Sequence, residues 1–541
     1  MTRDTYFITT PIYYVNDKPH IGHAYTSIAA DVLARWKRLE GRRVFFLTGT
    51  DEHGQKVEKA ARDAGEAPKP FTDRVSRAFR ELTGVIGLSN DDFIRTTEDR
   101  HYAACQALWQ RLVEAGDIYL GHYEGWYAVR DEAFYGPDEL TERDGARYAP
   151  SGAQVEWVRE PSYFFRLSKW LPELLRRYDL PEGHPERIAI APETRKNEVV
   201  AFIRQGMKDF AETPGKLDLS VSRTSFRWGV PVPGDADHVM YVWLDALTNY
   251  ITAAGYPTDP ERFAAFWPAD LHMVGKDIVR FHAIYWPAFL MSAGIAPPRK
   301  VFAHGWWTNE GQKISKSLGN VIDPLDLVQR FGLDPVRYFL LREVPFGQDG
   351  DFSRKALIAR NNGELADALG NLANRVLSLI QKNCEGRLPA WEATEEGGQI
   401  LSPLPLALDP RGKALGAGSP SLEDLPAVLS GYLDAQDFSG ALALVFSLVR
   451  GGNEYITQRA PWSLRKTDPA LMAVVLRNLH TALRAYATVL QPFMPGTMAR
   501  LLDQLGVPAD ARDFASLATP LPTGTPLPPP SPLFAKIEDA A

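Results

Sequence analysis

The sequence predicts an α/β chain: a parallel-sheet domain split in two by an insertion and followed by an α-helical bundle. Three observations carry that reading. Near the start, stretches rich in β-branched and aromatic residues alternate with stretches of helical apolar spacing. The alternation then breaks into short aromatic segments and resumes at Leu271–Gly275. Beyond Asp351 the apolar spacing is helical almost throughout. A chain of 541 residues, 45% apolar and 23% charged, has the composition of an ordinary globular protein. It is too long for one core and calls for about two or three domains.

Taken in order, Thr5–Tyr14 (TYFITTPIYY) reads as a strand, Asn16-Asp17-Lys18-Pro19 as a turn, and Ile21 to Leu39 as a helix. Arg43 to Thr48 (RVFFLT) is the near-continuous apolar run expected of a strand covered on both faces, and Val57 to Ala64 returns to helical spacing. Strand, helix, strand, helix is the pattern of a parallel sheet. Residues 116–225 carry short segments such as Tyr119–Val129 and Tyr163–Leu167, with turn signals at Gly136-Pro137 and Pro150-Ser151-Gly152, and read as an insertion. Strands are expected again at Leu271–Gly275 and Val301–Trp307, so the two halves of a Rossmann-like domain fall in residues 1–115 and 226–355. Residues 356–541 read as helices, with amphipathic runs at Arg360–Leu379, Leu433–Val449 and Leu471–Leu490. Between the first two runs, Leu401–Leu425 is expected to be a surface loop, and the proline-rich end (TPLPTGTPLPPPSPLF) a tail packed along the body.

Composition also excludes several functions. A formal charge of −7 argues against coating nucleic acid through a general field, so any such partner has to be recognised by shape and a few contacts. Cys105 and Cys384 are the only cysteines, which indicates neither a disulfide framework nor a thiolate zinc site, and fits a reducing, cytoplasmic compartment. Met1–Tyr14 lacks a basic region followed by an apolar one, and the apolar run near Ala441–Val449 is too short to span a bilayer.

Two short motifs carry chemistry. His20-Ile21-Gly22-His23 sits between a predicted strand and a predicted helix, where backbone N–H groups and the helix dipole already favour phosphate. Gly22, lacking a Cβ, lets a base or phosphate approach the backbone. Lys313-Ile314-Ser315-Lys316-Ser317 supplies two lysines and hydroxyls on a Gly-flanked loop suited to a triphosphate. Alone, the first motif is more often a pair of histidines capping a helix and the second a solvated basic loop. Together they are far more informative, because a phosphate-binding pair at the start of the fold and another near its end would converge at the top of one sheet.

With both present, the sequence resembles the class I aminoacyl-tRNA synthetases, with HIGH intact and KISKS where KMSKS is usual. The resemblance narrows to the methionyl-tRNA synthetase family at Thr9–Gly22 (TTPIYYVNDKPHIG), Thr48–Gly54 (TGTDEHG), Tyr241–Tyr250 (YVWLDALTNY) and Gly275–Pro287 (GKDIVRFHAIYWP). It implies activation of L-methionine with ATP and Mg²⁺ to an adenylate, then transfer to tRNA(Met) for initiation and elongation. It further implies that His20, His23, Lys313 and Lys316 stabilise the reacting phosphates, and that Gly22, Gly275, Asp277 and Ser315 complete the ATP site. Asp51 is implied as the partner of the methionine ammonium group, with a helix N-cap as its bland alternative. Ile12, Tyr14, Trp243, Ala246, Tyr250, Ile278 and His282 match the positions lining the methionine pocket, with Tyr14 and His282 as polar contacts to sulfur, and Arg223 matches an arginine near the adenylate.

Many members of that family carry zinc knuckles in the connective insertion. Here Ala128 and Asp131 stand where a C-x-x-C pair is expected, and Ala149–Gln154 also lacks cysteine. The expectation is therefore a metal-free subdomain held by aromatic packing of Trp126, Tyr127 and Phe134, with no structural zinc. In the helical region, Asn371, Arg375 and Trp462 resemble anticodon-binding residues, through stacking and base-edge hydrogen bonds. The resemblance includes no appended oligonucleotide-binding barrel, and a monomer is expected. The small distance between His20 and Lys313 disfavours the branched-chain synthetases with their large editing insertion, and the missing zinc cysteines disfavour a cysteinyl enzyme. A small-molecule adenylyltransferase would have no use for the helical domain. A non-catalytic derivative would be expected to have lost the phosphate-binding residues, which are all present.

Overall fold

The computed structural model describes residues 4–15, 18–131, 133–212, 217–314, 320–390 and 422–538. Two compact units emerge: residues 1–30, 43–84 and 88–304 form the first, and residues 31–42, 85–87 and 305–541 the second.

The first unit is built on six parallel strands: β1 Thr5–Tyr14, β2 Arg43–Asp51, β3 Asp92–Arg95, β4 Ala189–Ala191, β5 Leu271–Gly275 and β6 Lys300–His304. Their order is β3-β2-β1-β5-β6-β4. β1 is buried at nearly every position, as a strand covered on both faces must be, and this is why its sequence is apolar without alternation. Strand order reverses between β1 and β5, the place where open α/β sheets bind ligands beyond the carboxyl ends of their strands. Pro11 widens that place. Lacking an N–H, it cannot join a ladder; the register of β1 with β2 shifts between Thr9 and Ile12, and pairing with β5 is confined to Ile8–Leu271 and Thr9–His272. Beyond it β1 pairs with β2 alone, as far as Tyr14–Asp51, and the position beside β5 at these strand ends is the crevice of an open α/β sheet.

The insertion is antiparallel. Ile118–Ala128 pairs with Gln154–Phe165 from Ile118–Phe165 to Tyr127–Glu156, flanked by the short strands Ala133–Tyr135, Thr141–Arg143 and Ala146–Tyr148. Ala128, Ala149, Ala153 and Val155 form a small buried cluster here, with Trp126, Tyr135 and Leu140 against it. The expected strand Val301–Trp307 is divided: β6 ends at His304, and Trp307–Asn309 belongs to a separate three-stranded sheet. The reason is local, since a Cβ at Gly305 would lie 2.3 Å from the Gln348 carbonyl oxygen, so the chain passes too close to another backbone to continue the strand.

The second unit is mainly helical, with Leu333–Arg342, Asn371–Asn383, Leu425–Asp434, Phe438–Arg459 and Pro469–Leu490 as principal helices. The apolar run Leu433–Val449 spans two helices, not one. Gln436 takes φ 58°, and Asp437 accepts the Gly440 N–H to start the second helix. The proline-rich tail does pack on the helices: Gln381 donates to Leu527 and Pro528 carbonyls, and Asn361 and Asn362 to those of Ala535 and Ile537. Most of the expected loop Leu401–Leu425 lies outside the described residues. Among the described residues, no helix is long and apolar enough to cross a membrane.

Candidate active site

The crevice between β1 and β5 gathers most of the singled-out residues of the first unit. The His20 and His23 rings lie 3.9 Å apart at the start of the Ile21–Leu39 helix. The Nδ1 of His20 accepts the Gly22 N–H at 3.1 Å, and the Nδ1 of His23 accepts the His20 N–H at 3.0 Å. Each ring thus caps part of the helix start, as its simpler reading holds, yet the same bonds fix its tautomer with the proton on Nε2. Burial lowers both pKa values, that of His23 well below the usual imidazole range with His20 adding to the effect, while the Asp277 carboxylate partly restores His20. The pair therefore offers two neutral N–H donors rather than two cations. A Cβ at Gly22 would stand 3.0 Å from the His20 ring, so a larger residue there would press on that ring. Gly275, at the end of β5, lies close to the Asp277 carboxylate: a Cβ there would stand 2.5 Å from Oδ1, at the tip of an exposed side chain that can turn aside. Asp277 itself is exposed in the turn Lys276–Ile278.

Across the crevice, Asp51 ends β2 directly beside Tyr14 of β1 and is buried. It does not cap the next helix; that position is held by Gly54 at φ 103°. Tyr14 donates its hydroxyl to the His53 carbonyl at 3.0 Å. Ile12 pairs with Gly49 and is half-buried.

The Val242–Ala254 helix brings Trp243, Ala246 and Tyr250 to the same region. Trp243 stacks on Phe281, with centroids 3.7 Å apart and planes 6° from parallel. Tyr250 and His282 meet at 2.7 Å, and His282 Nδ1 lies 3.0 Å from the Ile278 carbonyl. Only Nδ1–H can serve that carbonyl, so Nε2 accepts the Tyr250 hydroxyl. Burial holds His282 neutral, its pKa down to about 4. His282 lies in a single wide helical turn, Phe281–Tyr285, of the kind often found at functional sites. The residues around Tyr250 thus form an apolar, aromatic wall with a neutral hydrogen-bonded pair set into it.

Other residues were not singled out from the sequence. Phe281 forms half of the stack, and His272 lies 4.2 Å from the Tyr250 ring. Beneath them Asp245 is wholly buried, its carboxylate 2.7 Å from both His53 Nδ1 and His101 Nε2. His101, Cys105 and Asp245 are, among the described residues, a group whose donor atoms could hold a metal ion. The three also form hydrogen bonds with one another, Cys105 Sγ lying 3.2 Å from His101 Nε2. Arg223 is engaged by Ser220 Oγ at 2.7 Å and by the Ser222 carbonyl at 2.6 Å, with its guanidinium 4.6 Å from the Tyr241 ring.

At the knuckle positions the donor set does not fit zinc. Ala128, Ala149 and Ala153 supply only methyl groups, and Asp131 already accepts hydrogen bonds from Ser151 and, at 2.9 Å, from Tyr135. Trp126 packs edge-on against Trp157, Tyr127 is buried, and the Phe134 side chain lies outside the described residues.

In the second unit, Lys313 ends the strand Gln312–Lys313, while its side chain, Ser315 and Lys316 lie outside the described residues. Asn371 and Arg375 line an open cleft of about 580 Å³ with Arg450, Asn453 and Thr457. The Arg375 guanidinium sits 5.6 Å from the ring of Trp462, which is 45% exposed.

A parallel sheet whose order reverses beside a His-x-x-His helix start, interrupted by an insertion and followed by a helical unit, defines a class I aminoacyl-tRNA synthetase fold. Residues 6–377 match the family described as tRNA synthetases class I (M), and residues 413–541 the anticodon binding domain of methionyl tRNA ligase. Methionine–tRNA ligase of Brucella suis biovar 1 is 52% identical over 543 residues, covering 100% of this chain and 99% of the relative. That of Rickettsia bellii is 52% identical over 515 residues, covering 95% of each chain. A Mycobacterium tuberculosis methionyl-tRNA synthetase structure in complex with methionyl-adenylate superposes with TM-score 0.89 at 46% identity, over 98% of this chain and 100% of the other. The apo form of the same enzyme gives 0.84 at 43% identity, over 99% of each chain. The chain belongs to the methionyl-tRNA synthetase family.

Proposed function

We infer that the chain charges tRNA(Met) with methionine, for both initiation and elongation, in two steps on one sheet. It is a methionine–tRNA ligase. In the first step a methionine carboxylate oxygen attacks the α-phosphorus of ATP, and pyrophosphate leaves. In the second, a terminal ribose hydroxyl of the tRNA attacks the adenylate carbonyl, and AMP leaves. The observation that carries this reading is the crevice at the β1/β5 reversal, with a phosphate-type helix start on one side and an aromatic, neutral pocket beside a buried carboxylate on the other.

Within that reading, the methionine ammonium group faces Asp51, and the thioether lies among Ile12, Tyr14, Trp243, Ala246, Tyr250, Ile278 and His282, an enclosure suited to a soft, polarisable sulfur. His20 and His23 donate Nε2–H to the reacting phosphates, Gly22 and Gly275 give the nucleotide room, and Asp277 accepts from its ribose. Lys313, Ser315 and Lys316 meet the departing pyrophosphate. Magnesium accompanies ATP as part of that substrate. No side chain acts as a strong base, since positioning and hydrogen bonding to the developing charge suffice. Asn371, Arg375 and Trp462 read the anticodon by edge bonds and stacking. The reading includes a cytoplasmic monomer without structural zinc in the knuckle.

The test is exchange of labelled pyrophosphate into ATP, run with each proteinogenic amino acid and without tRNA. Exchange with methionine alone is expected. Exchange with a different amino acid would refute the pocket assignment, and none at all would refute the activity.

A further inference from the structure

The candidate pocket is assembled from three chain segments that are not contiguous in sequence: the end of β1 (Tyr14), the end of β2 with the turn that follows it (Asp51 to His53), and the Val242–Ala254 helix (Trp243, Ala246, Tyr250). One buried group ties them together. The Asp245 carboxylate, on the pocket helix between Trp243 and Ala246, accepts His53 Nδ1–H at 2.7 Å through one oxygen and His101 Nε2–H at 2.7 Å through the other. His53 stands two residues beyond Asp51, and its own carbonyl accepts the Tyr14 hydroxyl at 3.0 Å. Its remaining ring nitrogen lies 3.0 Å from the Tyr102 hydroxyl, so the imidazole is held at both ends. Asp245, His53 and His101 are each no more than 1% exposed.

We propose that Asp245, acting through His53, is a positioning residue for methionine: it sets where Asp51 and Tyr14 stand relative to the aromatic wall. This rests on the function proposed above. The separation of 2.7 Å between His101 Nε2 and Asp245 Oδ1 is a hydrogen-bond distance, shorter than the roughly 3.3 Å between two ligands of one tetrahedral zinc, so the group as it stands is arranged for hydrogen bonding. The carboxylate suits the task because it alone offers an acceptor to each of two buried N–H donors. An amide in its place keeps one acceptor and turns a donor toward the other imidazole. Strain from that mismatch is relieved by moving the His53 turn, which displaces Asp51 while leaving the His20–His23 start of the neighbouring helix where it was.

The experiment is methionine-dependent pyrophosphate exchange by the full chain, comparing Asp245→Asn, His53→Gln and His53→Asn with the unaltered protein. An asparagine places its side-chain N–H where His53 Nδ1 is, and so keeps the bond to Asp245; a glutamine places it at the far nitrogen and loses that bond. Loss of a buried charge-assisted hydrogen bond is expected to raise the KM for methionine about 10- to 100-fold in Asp245→Asn and His53→Gln, with the KM for ATP within about twofold, and His53→Asn should recover most of the loss. If Asp245→Asn fails to fold, the two His53 variants carry the comparison alone. Unchanged methionine KM in His53→Gln, equal shifts in methionine and ATP KM, or equal losses in His53→Gln and His53→Asn would overturn the positioning role. Absence of methionine-dependent exchange in the unaltered protein would instead overturn the function on which it rests.

Discussion

At the scale of single residues, burial decides the protonation of the histidines. His282 beside Tyr250 and His480 in the helical unit are both held down to about 4, His480 while its Nε2 lies 2.9 Å from the Leu505 carbonyl. An unfolded imidazole titrates near 6.5, so between about pH 6.5 and 4 the unfolded chain binds protons that the folded chain refuses. Stability therefore falls as pH drops through that window and levels off below it, by at most about 3 kcal/mol per histidine. Asp245 acts elsewhere: burial alone would raise it, but His53 and His101 outweigh that and hold it at about 2, so its contribution persists until the pH falls below the ordinary carboxylate range. Denaturant midpoints measured at pH 7, 6 and 5 should decline steadily. A midpoint that rises on acidification would contradict the neutral-imidazole assignment. The same residues show why part of the candidate site is legible in the sequence and part is not. His20 and His23 announce themselves because their motif is contiguous and abuts a strand. Asp245 and His53 are 192 positions apart, and nothing in either local sequence reveals that they touch.

Among elements, legibility followed whether the cause was local. β1 and the Ile21–Leu39 helix end where their sequence patterns end, because the apolar period and the intervening Asn-Asp-Lys-Pro are local signals. The break at Gln436 was hidden by a helical apolar spacing that runs straight through it; the signal present but unused was Asp437, three residues before Gly440. A comparable junction offers a test. Ala460, between the helices Phe438–Arg459 and Pro461–Thr467, adopts φ 44°, ψ 57°, a left-handed conformation in which its Cβ crowds the following carbonyl. Ala460→Gly should therefore stabilise the helical unit by about 1 kcal/mol, raising its thermal midpoint by roughly 2–4 °C in differential scanning calorimetry. A lowered midpoint would mean that the alanine methyl makes a packing contribution larger than its strain.

Over the whole molecule, the insertion proposed to be metal-free carries packing and hydrogen-bonding residues at its knuckle positions in place of thiolates. Ala128, Ala149 and Ala153 pack together there, and Asp131 accepts from Ser151 and Tyr135. Exhaustive dialysis against a chelator should leave the thermal midpoint and methionine-dependent exchange unchanged, whereas a stoichiometric zinc whose loss lowers both would refute the metal-free reading.

The split sheet has a consequence for how the chain is made. β1 needs β5 as its second neighbour: the Phe7 N–H donates to Asp270, and Thr9 Oγ1 meets His272 Nδ1 at 2.8 Å. Those partners leave the ribosome some 180 residues after β3, a wait of about 10–40 s at ordinary elongation rates. Throughout it, one edge of β1, with Phe7 and Ile8 beside it, stays unpaired. Synthesis rate across the insertion, and any chaperone that shields a nascent strand edge, should therefore govern the yield of active enzyme more than the final stability does.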